Sequence, residues 1–132
     1  MPLKTKPEAI AQMEDEHLAY SKCVKIGNHF HFSGVVAINP DFTPHGDFED
    51  QIEKIGLDIK TLLVACGLTF NDVYSATIML AGNMEHYMKL NWHWRGLFAG
   101  VEIMPRRKVF AVTELPFGCA VEIEFNAVDQ SK

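Results

Sequence analysis

Apolar residues recur at helical spacing between Asp47 and Gly67. Most of them stand three or four positions apart: Ile52, Ile55, Ile59, Leu62, Leu63 and Cys66. Asp47 is a typical N-cap, and the carboxylates of Glu49 and Asp50 suit the positive end of a helix dipole. Gly67 is typical of the position just beyond a helix C-terminus. The pattern therefore predicts an amphipathic helix whose apolar face, including the Cys66 thiol, lies in the core.

A second helical repeat is opened by Gly82-Asn83 and closed by Gly100. Its apolar positions are Tyr87, Leu90, Trp94, Leu97 and Phe98. Trp92 lies two positions before Trp94 and therefore points to a different side of the helix. We interpret Trp94 as a core residue and Trp92 as cover for a neighbouring surface or for the rim of a pocket.

The other hydrophobic runs alternate with polar residues or are rich in β-branched residues, which is typical of strands. They are Tyr20–Ile26, His29–Ile38, Val73–Leu80, Pro105–Val112 and Val121–Phe125. Gly27-Asn28 is a two-residue turn signal, so the first two runs form a predicted hairpin. The predicted order is β-β-(β)-α-β-α-β-β, with a weaker strand in brackets. An α+β sandwich of two layers, in which two helices cover one face of a mixed six-stranded sheet, buries both helical stripes.

This packing leaves the other face of the sheet uncovered. The β-runs supply more apolar surface than one layer of helices needs: Val35, Ile38, Val73, Ile78, Val109, Val121 and Ile123. An exposed apolar sheet face favours an oligomer.

The length of 132 residues suits a single domain spanning 1–132. Residues 1–16 are polar and contain two prolines, so we expect a loose N-terminal arm. The net charge of −5 disfavours a nucleic-acid partner or an anionic membrane, since the only dense basic cluster is Arg106-Arg107-Lys108. No run approaches the ~20 apolar residues of a membrane span. The absence of a leader pattern and the three cysteines without metal-ligand spacing predict a reduced, cytoplasmic protein.

Several other chemistries are less favoured. His29 and His31 share a strand face and could bind a metal if His17 supplied a third ligand. No HExxH or paired-cysteine motif accompanies them, so we interpret them as outward polar positions and expect no metal. Cys119 has no histidine beside it in the sequence to activate it as a nucleophile. Ser33 lies inside a strand rather than at a strand-to-helix turn, which favours a hydrogen-bonding role.

Charged residues interrupt the last two strands. Arg107 shares a face with Val109 and Ala111, and Glu122 shares a face with Glu124. Two interpretations fit these charges equally well. They protect an edge strand from aggregation, or a guanidinium and a carboxylate together receive a small anion beside a reactive water.

At these residues the chain resembles the RidA/YjgF family, the reactive-intermediate imine deaminases. The resemblance covers about Tyr20 to Val128. It is strongest at Pro105-x-Arg107-x-Val109-x-x-Val112-x-x-Leu115-Pro116 and at Val121-Glu122-Ile123-Glu124. Further matches follow in the family's order at Gly27-Asn28, Phe32-Ser33-Gly34, Ala65-Cys66-Gly67-Leu68 and Asp72-Val73. Together these motifs are specific, whereas any one alone is weak.

The resemblance implies a chorismate-mutase-like homotrimer with clefts between neighbouring subunits. It also implies two catalytic residues, Arg107 as the anion receptor and Glu122 as the residue that positions water. The same resemblance marks additional substrate-binding positions: Tyr20, Ser33, Gly34, Asn91 and Val109. Lys108-Val109 replaces a frequent Ser-Cys pair of the family, so Val109 can serve only through its main chain.

The implied activity is the hydrolysis of reactive 2-imino or enamine acids, of the 2-aminoacrylate or 2-aminocrotonate type, to 2-oxo acids and ammonia. This is metabolite damage control that requires no cofactor, and the implied ligand is a small carboxylate-bearing imine or 2-oxo acid. Two alternatives remain open. One is a non-catalytic ligand-binding or chaperone-like trimer, and the other is an endoribonuclease of the L-PSP type, which the net charge of −5 disfavours.

Overall fold

Residues 3–131 are described by the computed structural model, which forms one mixed sheet with helices packed on one face. The strands are β1 (Lys4–Thr5), β2 (Cys23–Ile26), β3 (His29–Val35), β4 (Val73–Ala81), β5 (Arg106–Val112) and β6 (Val121–Val128). The α-helices are α1 (Glu8–Ala11), α2 (Phe48–Ala65) and α3 (Tyr87–Leu97), with short 3₁₀ turns at Phe70–Asp72 and Pro116–Gly118. No helix of the described residues is long and apolar enough to cross a membrane.

The strands lie in the order β1-β2-β3-β6-β4-β5. Only β4 and β5 are parallel, and α3 is the crossover between them. This confirms the predicted α+β fold with a mixed six-stranded sheet. The bracketed strand before the first helix was wrong, because Ile38 forms only an isolated bridge with Pro44. The sixth strand is Lys4–Thr5, which pairs with β2.

That strand belongs to the segment expected to be a loose arm. Residues 1 and 2 of the arm lie outside the described residues, and residues 3–16 contain β1 and α1. Ile10 of α1 is fully buried, and Lys6 forms an ion pair with Glu14. The buried Ile10 side chain thus helps to hold this segment against the core. The largely polar composition of the segment did not indicate this contact.

Local capping chemistry begins α2 at the predicted place. The Asp50 amide donates to Asp47 Oδ1 at 3.0 Å, and the Asp47 amide donates to Asp50 Oδ2 at 3.0 Å. This reciprocal capping box confirms Asp47 as the N-cap. The start predicted for α3 was wrong, because Asn83 Oδ1 accepts the Glu85 amide in a turn and the helix begins only at Tyr87.

The central strands of the sheet bury one face. Val121, Ile123, Phe125 and Ala127 of β6 all lie under the helices, together with Ile78 of β4. The prediction of an exposed apolar face was therefore wrong, because the residues counted as surplus belong largely to this single covered face. The open face has a mixed composition and carries alternate residues of the same strands: His31, Thr77, Met79, Glu122, Glu124 and Asn126.

Candidate functional site

Strand register directs the Arg107 side chain toward the helices. Arg107 is paired with Ala76, whose side chain is buried on the covered face. Its Nη2 donates to Asn91 Oδ1 at 2.6 Å and to the Tyr87 hydroxyl at 3.4 Å, and both acceptors lie on α3. The guanidinium carbon also lies 5.9 Å from the centre of the Trp94 ring, a cation–π distance. These contacts hold the cation in one orientation before any ligand arrives.

A cavity of about 320 Å³ opens beside this guanidinium. Its walls are Asn91, Trp94, Arg95, Met104, Pro105 and Arg107. No hydrogen bond among the described residues uses Nε or Nη1 of Arg107, since both of its bonds leave from Nη2. A guanidinium carries five N–H donors in a planar fork, so the remaining donors can take a carboxylate.

Glu122 occupies the opposite, open face of the sheet. Its strand neighbour is Met79, which in turn pairs with Phe110, so the carboxylate lies beside apolar side chains. Burial raises the pKa of Glu122, and repulsion from Glu124 raises it further. A carboxyl group with a raised pKa is a stronger base once it is ionised, which suits it to accept a proton.

Gly34 makes room for this carboxylate. A bulge between Phe32 and Val35 shifts the register of β3 against β6 and brings the Gly34 backbone close to Glu122. A Cβ at position 34 would overlap Glu122 Oε2. The absence of a side chain at this position is therefore what permits the observed position of the carboxylate.

A second cavity, of about 380 Å³, adjoins the Gly34 segment. Tyr20, Ser33, Gly34 and Val35 line it, together with Lys22 and Lys54. Tyr20 is 54% exposed at its rim, and Ser33 Oγ donates to the Ser21 carbonyl at 2.6 Å. Tyr20, Ser33 and Gly34, three positions suggested by the resemblance, thus lie around one cavity, and Gly34 contacts Glu122.

The structure does not bring Arg107 and Glu122 together within one chain. Arg107 points to the covered face and Glu122 to the open face. The register places Glu122 in line with Phe110, two strands away and three residues along β5 from Arg107. Spacings of about 4.8 Å between strands and about 3.3 Å along a strand put the two Cα atoms roughly 14 Å apart. The two side chains therefore do not share a site within one subunit, a question that the sequence pattern had left open.

The remaining predicted positions, Asn91 and Val109, both lie on the same side of the sheet as Arg107. Asn91 is bonded to Arg107, as described above, whereas the Val109 side chain packs against the core on the same face as Arg107. Only the main chain of Val109 can therefore meet a ligand. The sequence reasoning did not assign a role to Arg95, although its spacing of four residues from Asn91 was a usable signal, because such residues are neighbours on a helix.

The disfavoured chemistries gain no support from the geometry. His31 Nδ1 lies 3.2 Å from Asn126 Oδ1, and His29 Nδ1 lies 3.4 Å from the Tyr74 hydroxyl. Within residues 3–131, no three His, Cys, Asp or Glu side chains cluster as metal ligands. Cys119 is 1% exposed, and burial raises the pKa of its thiol, which opposes a role as a nucleophile.

Comparison with known proteins places these features in a family. The family model for endoribonuclease L-PSP matches residues 11–129. A RutC family protein from Pyrococcus horikoshii is 33% identical over 107 residues, covering 80% of this chain and 82% of that protein. The 2-iminobutanoate/2-iminopropanoate deaminase of Mus musculus is 31% identical over 112 residues, covering 83% of this chain and 80% of the mouse protein.

A solved structure gives the same result for the fold. YyfA from Yersinia pestis, a member of the conserved Rid family, superposes with a TM-score of 0.83 at 28% identity. The match covers 96% of this chain and 99% of YyfA. The chain therefore belongs to the endoribonuclease L-PSP family, the RidA/YjgF proteins.

Proposed function

We propose that this protein hydrolyses reactive 2-imino acids to 2-oxo acids and ammonia at clefts between the subunits of a homotrimer. The observation that carries the proposal is the division of the candidate residues between two faces of one sheet. The deaminase name of the mouse relative, which is 31% identical, supports the reaction class.

The residues around Arg107 form one group, and those around Glu122 and Gly34 form the other. Each group lacks what the other supplies. The Arg107 cavity has an anion receptor, but no carboxylate lines it. The cavity lined by Tyr20, Ser33 and Gly34 has no arginine in its wall, and its Gly34 lies against Glu122. A second copy of the chain that brings its Glu122 group against the Arg107 group would complete the site. Two different patches that meet in this way form a heterologous interface, which closes into a ring if the rotation allows.

In the proposed reaction, Arg107 binds the substrate carboxylate through two parallel charged hydrogen bonds. A lysine cannot reproduce this planar geometry. The grip fixes the C=N carbon within reach of a water held by Glu122 of the neighbouring copy. Positioning of this kind converts an encounter between two molecules into a reaction within one complex.

Glu122 then transfers protons. Water adds to the imine carbon as its proton passes to the Glu122 carboxylate, which returns a proton to the nitrogen. A second transfer from the new hydroxyl to the nitrogen breaks the C–N bond and releases ammonia and the 2-oxo acid. Tyr20 at the rim shields the cleft, and the Val109 carbonyl and Asn91 complete its hydrogen bonding. Every step uses water and side or main chains of this protein.

Complementation between two inactive variants tests the proposal directly. Arg107→Ala and Glu122→Ala chains are assembled separately and then together, and keto-acid formation is followed while a dehydratase generates 2-aminoacrylate. If each site takes Arg107 and Glu122 from different subunits, random mixed trimers regain about a quarter of the wild-type sites. Neither variant alone should exceed the background.

Three results would contradict the proposal. Folded Arg107→Ala protein with wild-type activity would remove Arg107 from the site. Mixed oligomers, verified by native mass spectrometry, that recover no activity would remove the shared cleft. Carboxylate binding without turnover, unaffected by Glu122→Ala, would instead identify a ligand-binding protein.

A further inference from the structure

A second arginine lines the Arg107 cavity. Arg95 lines the same 320 Å³ space as Arg107, and Trp94 and Met104 supply its apolar walls. Arg95 follows Asn91 by four residues on α3, so the two side chains emerge on the same side of the helix. Since Asn91 Oδ1 accepts the hydrogen bond from Arg107, Arg95 stands one helical turn beyond the contact that anchors the first cation.

The charge of this cavity is unbalanced. No aspartate or glutamate is among its lining residues, and none of the salt bridges within residues 3–131 involves Arg95. This concentration of positive charge occurs in a chain whose net charge is −5. Two guanidinium groups facing one space repel each other, and a ligand with two negative charges removes that repulsion. A monoanion would satisfy Arg107 and leave Arg95 uncompensated.

The positions of Asn91 and Arg95 on α3 suit a short dianion. A rise of 1.5 Å per residue separates Asn91 and Arg95 by about 6 Å along the helix axis. If Arg107 holds the carboxylate next to the imine carbon, Arg95 can reach a second carboxylate two or three carbons further along. The cavity volume of 320 Å³ lies within the range of small-ligand sites, roughly 300–1,000 Å³.

We propose that Arg95 is a specificity residue that selects 2-imino acids with a second carboxylate, the imines of dicarboxylic amino acids. This inference rests on the proposed function, since it names the substrate class of the same site. The reaction adds one water to the C=N bond and yields a 2-oxo dicarboxylate and ammonia. Arg95 takes no part in the proton transfers and acts only on substrate affinity.

Equilibrium binding tests the selectivity without relying on turnover. The ligands are 2-oxoglutarate and 2-oxopentanoate, which have the same five-carbon chain and differ by the distal carboxylate. We expect the wild-type protein to bind 2-oxoglutarate about tenfold more tightly, because a charge-assisted hydrogen bond is among the stronger contacts. Arg95→Gln should lose that preference and keep its affinity for 2-oxopentanoate, as measured by calorimetry.

Arg106→Gln is the matched control, because it also removes one positive charge. Arg106 pairs with Ser75 and lies on the opposite face of β5 from Arg107, so its loss should leave the preference intact. Equal binding of the two acids by the wild type would overturn the inference. An equal loss of affinity for both acids in Arg95→Gln would also overturn it, since it would indicate a general electrostatic effect.

Turnover then separates this inference from the proposed function. Amino-acid oxidases generate the imines of glutamate and of norvaline, and semicarbazide competes with the protein for them. If the wild type prefers the glutamate imine and Arg95→Gln abolishes this preference by raising KM, that result supports both the proposed function and the role of Arg95. Hydrolysis of both imines with equal kcat/KM retains the function and refutes the role of Arg95. Selective 2-oxoglutarate binding without hydrolysis of either imine retains the Arg95 site and refutes the function.

Discussion

The two faces of the central sheet carry opposite halves of the candidate chemistry. On the covered face, an amide, a phenol and an indole ring surround the Arg107 cation. On the open face, Glu122 stands beside Met79 and against Gly34, and burial raises its pKa. One face thus presents a cation with free N–H donors, and the other a carboxyl group whose pKa is raised.

This difference shows what the separation of Arg107 and Glu122 within one chain prevents. An arginine within a few ångströms of a carboxylate would lower its pKa and would itself be occupied by that carboxylate. The intervening sheet prevents such an ion pair within one chain. Within one chain the guanidinium therefore keeps free N–H donors, and the carboxyl group keeps its raised pKa.

The largest effect is expected on the open face. Glu122→Gln removes the proposed base while keeping nearly the same shape, and kcat should fall by about 10²–10⁴-fold, the usual contribution of a general base. The affinity for a 2-oxo acid should be retained, because in the proposed site the carboxylate of the ligand is bound by Arg107 and not by Glu122. The dehydratase-coupled assay and calorimetry measure the two quantities, and an unchanged kcat would separate Glu122 from the chemistry.

Arg107→Ala changes the covered face and should weaken ligand binding, whereas Glu122→Gln should lower kcat and leave binding intact. Loss of a bidentate charged pair should weaken 2-oxo acid binding and reduce kcat/KM by about a hundredfold. Arg107→Lys should recover little, because an ammonium cannot form the planar pair. Circular dichroism verifies the fold, and weak binding with a normal kcat at saturation would show that Arg107 contributes affinity alone.

Gly34→Ala should damage the open face through geometry alone. The added methyl overlaps Glu122 Oε2, so the carboxylate must turn away. We expect a loss of about tenfold to a hundredfold in kcat, the scale of a displacement of about 1 Å at a reacting group. Gly96→Ala is the control, since a Cβ at that helical position meets nothing within 4 Å. Equal activity of the two variants would mean that the Glu122 position is not critical.

The smallest effect concerns the dependence of stability on pH. The raised pKa of Glu122 means that its stabilising contribution is complete while it is protonated and is lost as pH rises through that pKa. Glu122→Gln should therefore match the wild type in melting temperature near pH 4, below the ordinary glutamate pKa of about 4.3, and should exceed it at pH 7. A difference that is constant with pH would show that the carboxyl does not titrate in this range.

Glu124→Gln refines that measurement. Without the Glu124 charge, burial remains as the main cause of the raised pKa of Glu122. The pKa should therefore fall part of the way toward its ordinary value. The pH at which activity rises should then fall. An unchanged profile would mean that burial alone controls the Glu122 carboxyl.

Local chemistry made much of the fold predictable. The Asp47–Asp50 capping box and the apolar stripe that follows it define α2 from nearby residues alone. The same local reasoning failed at Gly82-Asn83, because a turn that precedes a helix and a helix start use similar residues. It also missed β1, whose two residues acquire strand structure only by pairing with Lys25 and Ile26.

The candidate site was predictable as a set of residues but not as an arrangement. Family resemblance singled out Arg107, Asn91 and Glu122, and the structure joins the first two through one hydrogen bond. It did not indicate that the third lies on the other face. Arg95 stayed unnoticed because its spacing of four residues from Asn91 is a weak signal by itself, and only the cavity shows that Arg95 lies near Arg107.

The sequence by itself determined five of the six strands, the presence of the two long helices, the cap of α2 and the residue types of the candidate site, because these depend on neighbours within a few positions. Only the tertiary structure decided which face each strand residue occupies and which residues share a cavity. Register is the physical reason. Side chains alternate with a period of two, so the pairing of β4 with β5 and β6 sends Arg107 and Glu122 to opposite sides of the sheet.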